Sequence, residues 1–316
     1  MTDVIAKKKF ISVVTPCYNE EENAREVYEQ VRTVFSGIPD YLYEHIFIDN
    51  ASTDKTVSIL RSIADQDKNV KIILNARNFG HIRSPYYGLM QASGDAIILL
   101  VADLQDPPHM IKEFLEKWEE GYSIAIGIKP ESQESPLMFS IRKLYYHLIG
   151  KISEVKLIKN FTAFGLYDRK IIDIFRQLDD PYPYLRGLVS EVGFDVAKIP
   201  YNQPARRRGV TKNNFYTLYD IAMLGITSHS KVPLRIATIG GFALSLISLL
   251  ISIIYLLLKI AYWNDFSFGT APILVGLFFF SSVQLFFIGL LGEYIAAIHT
   301  QVMKRPLVIE KERINF

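Results

Sequence analysis

The stretch AIILLVADLQDPP, residues 96–108, runs as near-continuous aliphatics to Ala102 and then breaks into Asp103, Gln105, Asp106 and two prolines. An apolar run of this length without alternation is the pattern of a strand buried on both faces, as in a parallel sheet. Its polar exit then lies at the strand's carboxyl end. Ligands of open α/β sheets bind beyond that end, so these side chains are candidates for a site.

The same pattern recurs along the first two thirds of the chain. FISVVTP, HIFID, VKIILN and SIAIG are short β-rich runs, while 21–35, 54–66, 84–93, 109–120 and 137–150 carry helical periodicity. This alternation predicts an α/β domain over residues 1–205, a mainly parallel, Rossmann-like sheet covered by helices. Four strand ends are polar: Pro16-Cys17-Tyr18-Asn19-Glu20, Asp49 to Asp54, Asn75 to Gly80, and Asp103 to Asp106. Each has a local explanation, since Asn19 or Thr53 can cap a helix and Asp54 suits a first turn. Four at one edge of one sheet point to a shared crevice.

Composition narrows the chemistry. With 316 residues and a formal charge of +2, no nucleic-acid partner is expected. Cys17 is the only cysteine, which excludes an internal disulfide. The sequence holds no GxxxxGK[ST], no GxGxxG after the first strand, no paired zinc ligands and no GxSxG. His81 beside Gly80 is the one histidine expected near the crevice, as a surface or hydrogen-bonded residue as readily as a catalytic one. The N-terminal lysines precede only a short apolar stretch that reaches Pro16, so no cleaved signal peptide is expected.

The last third is different. No charge interrupts residues 236–258 or 266–292, each long enough for a transmembrane helix, and the linker KIAYWND carries interface-type Tyr262 and Trp263. Lys231 and Arg235 precede the first span, and Lys304 and Arg305 follow the second. Positive charge at both outer ends predicts both termini, and the α/β domain, on the cytoplasmic side of a plasma or inner membrane. The expected organisation is a catalytic domain over 1–205, a basic juncture with interface helices over 206–232, a two-helix hairpin over 233–303 and a cytoplasmic tail over 304–316.

Asp103 and Gln105, two apart on an extended segment, offer hard oxygen ligands of the kind magnesium or manganese accepts beside phosphate oxygens. Asp49 could accept the imide proton of uracil, and Glu20 could reach a ribose hydroxyl. These residues suit metal-assisted transfer from an activated phosphate ester.

The motifs VVTPCYNEEENA, IDNASTDKT, NARNFGH, VADLQDPP, NFTAFGLYDR, YLRGLVSEVGF and RRRGVTKNNF, followed by the two-span tail, resemble the family-2 glycosyltransferases of the GT-A fold. Within these the chain is similar to polyprenyl-phosphate glycosyltransferases of the dolichol-phosphate mannose synthase type, and most of all to the bacterial glucosyl branch acting on undecaprenyl phosphate. The resemblance implies inverting transfer of a sugar from a nucleotide donor to a lipid phosphate. It places the nucleotide sugar at Pro16, Tyr18, Glu20, Asp49, Arg77 and Asp103, and a divalent ion, Mg or Mn, at Asp103 and Gln105. The chain departs from the family at Asn50 and Val101, where relatives often carry aspartates. That leaves Asp103 and Asp106 as carboxylates for the ion.

A phosphate monoester is largely ionised at neutral pH, so the acceptor needs cations more than a base. Arg206, Arg207, Arg208 and Lys212 are the expected catalytic cations, with Arg142, Lys143 and Arg186 as further phosphate contacts; lipid-headgroup binding is the alternative role of the basic run. Residues 215–230 look like an interfacial helix or, alternatively, a core helix. The expected reaction is hexose transfer, glucose from UDP-glucose first, with mannose from GDP-mannose as the near alternative. A processive polysaccharide synthase and a non-catalytic sugar-nucleotide sensor are the alternatives from other classes. Small residues such as Gly240, Gly241, Gly289 and Gly292 permit close helix packing, within the chain or in a homo-oligomer.

Overall fold

A computed structural model describes residues 8–129, 158–203, 223–227, 230–262 and 270–316. Arg142, Lys143, Arg206, Arg207, Arg208, Lys212, Trp263, the helix expected over 137–150 and most of the expected interface helix lie outside these residues.

Strands β1 (Lys9–Cys17), β2 (Tyr41–Asp49), β3 (Val70–Asn75) and β4 (Ala96–Leu99) form a parallel block in the order β4-β1-β2-β3. Three helices connect them: α1 (Ala24–Ser36), α2 (Thr56–Gln66) and α3 (Gly80–Gln91). Successive residues along each strand enter opposite cores. Val13, Phe47, Ile72 and Ile98 pack on one face, and Val14, Ile48, Ile73 and Ile97 on the other. This two-sided burial is why these strands read as apolar runs. On α1, Ala24, Val27, Tyr28, Val31, Val34 and Phe35 recur at the three- and four-residue spacing of one buried stripe.

After the expected helix and the strand read from SIAIG, the sheet continues in elements the sequence reading did not anticipate. After α4 (Ile111–Glu119) and β5 (Ile124–Ile128), β6 (Phe161–Asp168) runs antiparallel between β4 and β5, and β7 (Val196–Pro200) runs parallel to β5. Between β6 and β7 lie α5 (Arg169–Leu178) and α6 (Leu185–Glu191). The chain ends in β8 (Glu310–Ile314), antiparallel to β3. The C-terminal segment expected as a separate tail is thus the eighth strand of the sheet. Alternating exposure along EKERI and its charges hid it, as is common for an edge strand.

Helices α7 (Val232–Ala261) and α8 (Thr270–Val302) include segments, Val232–Ile251 and Gly276–Val302, long and apolar enough to cross a membrane. Ile239, Phe242, Phe278, Leu285 and Phe286 on them are more than half exposed, an apolar surface that water would not favour. Near the other end of the hairpin the Tyr294 hydroxyl donates to the Ser230 carbonyl at 2.7 Å.

A buried polar knot fixes where β4 starts. Glu44 on β2 accepts from the Ser12 hydroxyl at 2.5 Å and from the backbone and hydroxyl of Ser93 at 2.8 Å, and pairs with Lys71 at 2.6 Å. Gly94 donates its N–H to Ser12 Oγ at 2.7 Å, and a Cβ there would lie 2.6 Å from the Ser12 nitrogen. The loop before β4 is thereby tied to three strands at the edge opposite Asp103. Glu44→Ala should therefore lower the unfolding free energy by about 3 kcal/mol, because it strands Lys71 and three donors. Denaturant unfolding of the detergent-solubilised protein checks the loss, and nucleotide binding below the transition should persist.

Candidate functional site

Beyond the carboxyl ends of β1, β2, β3 and β4 lies a cavity of ≈ 410 Å³. Pro16, Tyr18 and Glu20 from the first strand end, Asn50 from the second, Asn78 and His81 around the third, and Asp103 from the fourth all line it. A second cavity of ≈ 180 Å³ shares His81, Pro85 and Val101 with the first and extends to Thr162, Ala163 and Arg186. The strand ends expected to meet do meet.

The backbone at this edge is held in unusual conformations. Asn19, Ala51 and Leu104, each just past the end of a parallel strand, have φ of 55°, 62° and 56°. Asparagine tolerates the left-handed region; alanine and leucine pay for it, and such strain persists only where surrounding bonds enforce it. Those bonds are visible. Ser52 Oγ accepts from the Asn19 N–H and Thr56 Oγ1 from the Glu20 N–H, both at 2.8 Å. In return Asn19 Oδ1 accepts from the Thr53 N–H at 2.8 Å. Asp54 accepts from the Thr56 N–H and hydroxyl at 2.9 and 2.6 Å. Asn19, Thr53 and Asp54 therefore lace the first two loops together.

Asn50 is the hub that sequence reading missed. Its carboxamide oxygen accepts from the Phe79 N–H at 2.8 Å and from Asn75 Nδ2 at 3.1 Å, while its amide donates to Asn78 Oδ1 at 2.9 Å and the Gly80 carbonyl at 3.1 Å. A carboxylate could not make the last two bonds. The departure from aspartate thus has a local reason: this side chain shapes the loop between β3 and α3. The signal lay in the repeated asparagines of IDN and NARN, which bond one another.

Asp49 is buried behind Cys17 and Asn50, which line the cavity. Its Oδ2 accepts from the Ser52 N–H at 2.9 Å, whereas Oδ1 has no partner. Burial raises its carboxyl above the ordinary value despite the opposing bonds from Ser52. Burial, with the nearby carboxylates of Asp49, Glu20 and Asp54, also pushes the Cys17 thiol well up, so it stays protonated.

Besides Asp49, three expected residues lie off the cavity lining. The Arg77 guanidinium stacks 4.1 Å over the Phe79 ring and donates to the Asn78 carbonyl at 3.0 Å, outside the cavity lining. Gln105 does not line the cavity either, and its N–H donates to Asp103 Oδ1 at 3.1 Å. Asp106 is buried and accepts from the Tyr201 hydroxyl at 2.5 Å. It lies in the core beside Tyr201 and does not line the crevice.

Among the described residues no group of three or more His, Cys, Asp or Glu side chains surrounds a point fit for an ion. The donor set at the strand end is Asp103, with Gln105 two residues on across the left-handed Leu104 and Glu20 in the same cavity. This fits magnesium or manganese, which take one or two carboxylates and fill the remaining positions with phosphate oxygens and waters. It does not fit a closed all-protein site.

Residues 12–175 match the profile described as Glycosyl transferase family 2. The SfII prophage-derived bactoprenol glucosyl transferase of Shigella flexneri is 34% identical over 303 residues, covering 96% of this chain and 97% of its own. The uncharacterized glycosyltransferase YkcC of Bacillus subtilis is 34% identical over 299 residues, covering 94% and 92%. Among solved structures, glucosyl-3-phosphoglycerate synthase from Mycobacterium tuberculosis, in complex with Mn2+, uridine diphosphate and glucosyl-3-phosphoglycerate, superposes with a TM-score of 0.44 at 17% identity, covering 69% of this chain and 78% of that one.

Asn50→Asp should set a carboxylate against two oxygens and cost about 1–3 kcal/mol, with weaker nucleotide binding as the loop from Ala76 to Gly80 loosens; calorimetry with uridine diphosphate reads both. Asp106 supplies a pH test. Burial raises its carboxyl to about 6, above an unfolded value near 3.8. The folded state holds this proton more tightly, so the contribution to stability is full below about 4 and is lost as pH rises through about 6. Asp106→Asn should remove roughly 2 kcal/mol of that pH dependence while keeping the Tyr201 bond and transfer activity. Unfolding at pH 4.5 and 7.5 checks it.

Proposed function

We propose that this chain, which belongs to glycosyl transferase family 2, transfers glucose from UDP-glucose to the phosphate of a polyprenyl lipid at the cytoplasmic face of a membrane. The observation that carries this reading is the meeting of Tyr18, Glu20 and Asp103 in one strand-end crevice, in a chain aligned along nearly its whole length with a bactoprenol glucosyl transferase. The two helices of membrane-spanning length support a lipid acceptor, and the basic flanks of the hairpin support a cytoplasmic catalytic domain.

The roles follow from placement. Asp49, buried behind Cys17 and Asn50, keeps an Oδ1 without a hydrogen-bond partner, which supports its reading as the acceptor for the uracil imide N–H. Tyr18 and Pro16 wall the base and ribose, and Glu20 receives a ribose hydroxyl. Asp103, with Gln105 beside it, holds the divalent ion. When bound, the ion neutralises the charge that develops on the departing diphosphate. A lipid phosphate oxygen attacks the anomeric carbon from the face opposite the diphosphate. The new carbon–oxygen bond forms as the bond to the diphosphate breaks, uridine diphosphate leaves, and the configuration inverts. The nucleophile arrives ionised, so no side chain need remove a proton. Cations hold it in line: Arg186 on the wall of the second cavity, joined by Arg142, Lys143, Arg206, Arg207, Arg208 and Lys212.

Asp103→Ala should lower transfer of labelled glucose to undecaprenyl phosphate by about 100-fold or more, and chelation of the wild type should do the same. A donor screen with the purified protein tests the reading as a whole: UDP-glucose should be used in preference to GDP-mannose and UDP-N-acetylglucosamine. Preference for GDP-mannose would overturn the assignment of Asp49 to uracil.

A further inference from the structure

The structure gives the C-terminal strand a task beyond completing the sheet. Because β8 is antiparallel to β3, it enters the sheet opposite Asn75, at the crevice edge, and leaves opposite Ile72. Only residues 303–309 separate it from the end of α8. The eight steps from Val302 to Glu310 span about 28 Å at most, which bounds how far the last turn of α8 lies from the crevice edge. A direct contact narrows this further. Gln301 Nε2 on that last turn donates to Asp180 Oδ1 at 2.8 Å. Asp180 opens the segment whose Pro183, Tyr184, Leu185 and Arg186 wall the second cavity.

The strand itself is fastened at several points. Glu312 pairs with Arg61 on α2, with one of the two contacts at 2.9 Å. Arg313 Nη2 donates to Gln91 Oε1 at 2.6 Å and to the Tyr87 hydroxyl at 3.3 Å, both on α3. Asn315 Nδ2 donates to the carbonyls of Ala64 and Val70 at 2.8 and 2.9 Å. The α3 helix so held is the one that brings Gly80, His81, Ser84 and Pro85 to the crevice. Val308 and Leu307, just before the strand, are packed inward.

We propose that β8, with the Gln301–Asp180 contact, is a positioning clamp. It ties the membrane hairpin to the crevice edge, so that the second cavity opens toward the membrane surface and a lipid-borne phosphate enters over Arg186. The inference rests on the lipid-acceptor reading above. It adds that the spans do more than keep the enzyme at the membrane: their far end sets the orientation of the site. An anchor alone would tolerate a slack tail. A clamp would not, because an acceptor held in a bilayer cannot follow a catalytic domain that tilts away from it.

The test compares two acceptors on the full chain and on two variants. One acceptor is undecaprenyl phosphate embedded in lipid nanodiscs, the other a short-chain, water-soluble prenyl phosphate. Truncation after Leu307 should cut kcat/KM for the embedded acceptor by about tenfold or more, mostly through KM, while the soluble acceptor and uridine diphosphate binding change by less than about threefold. Gln301→Ala leaves the sheet whole and should move the same ratio in the same direction by less. Equal loss on both acceptors would show that β8 serves folding only and would overturn the clamp, as would no loss on either. A wild-type chain that binds uridine diphosphate yet glucosylates neither acceptor would overturn the functional reading itself, and the clamp with it.

Discussion

Parallel pairing is the constraint on which everything else in this molecule depends. Strands that run the same way finish at the same edge, and β4, β1, β2 and β3 therefore deliver Asp103, Glu20, Asn50 and Asn78 to one crevice although up to 83 residues separate them in sequence. The strand order also sets what lies centrally. β1 sits between β4 and β2, so its exit, with Pro16, Cys17, Tyr18 and Glu20, forms the floor between the acidic turn and the asparagine hub. The Glu44 knot at the opposite edge fixes the starting point of β4 and hence where its carboxyl end falls.

Within that frame, a neutral amide organises the turn before α3. Asn50 bonds four partners in the turn before α3, two as acceptor and two as donor. A second carboxylate there would repel the carbonyl of Gly80. Asp106, the remaining acid of the fourth strand end, is buried against Tyr201 and does not line the crevice. The acidic turn therefore presents less negative charge to the crevice than its sequence suggests.

The parts of the fold read correctly from sequence were those where burial imposes a period. VKIILN and HIFID are apolar because both faces are covered, and α1 shows its stripe because one face is. What escaped was set by partners distant in the chain. NFTAFGLYD carries no clean alternation, because β6 is fitted between β4 and β5 with Gly165 so close to Ala125 that a Cβ would lie 2.5 Å from its carbonyl. EKERI reads as a charged tail because its stability comes from Arg61, Gln91 and the edge of β3, up to 251 residues away. The site divides the same way. Strand-end position put Pro16, Tyr18, Glu20 and Asp103 on the cavity lining, but Arg77 is drawn to the Phe79 ring and Asp106 to Tyr201, preferences that only the packed neighbours reveal.

The reduced charge suits the proposed chemistry. Donor diphosphate and acceptor phosphate are both anions, and bringing them within bonding distance in a low-dielectric crevice is costly unless cations outweigh the local carboxylates. A site for an alcohol acceptor can use extra carboxylates, one of them as a base. A site for a phosphate acceptor needs no base, and each additional carboxylate near the anomeric carbon raises the barrier to the approaching nucleophile. Val101 lines both cavities, with Asp103 in the first and with Arg186 in the second. An aspartate at that position would face the acceptor's path. With valine there, Asp103 and Glu20 are the carboxylates among the described residues of the first cavity, and Arg186 lines the second with no described carboxylate beside it.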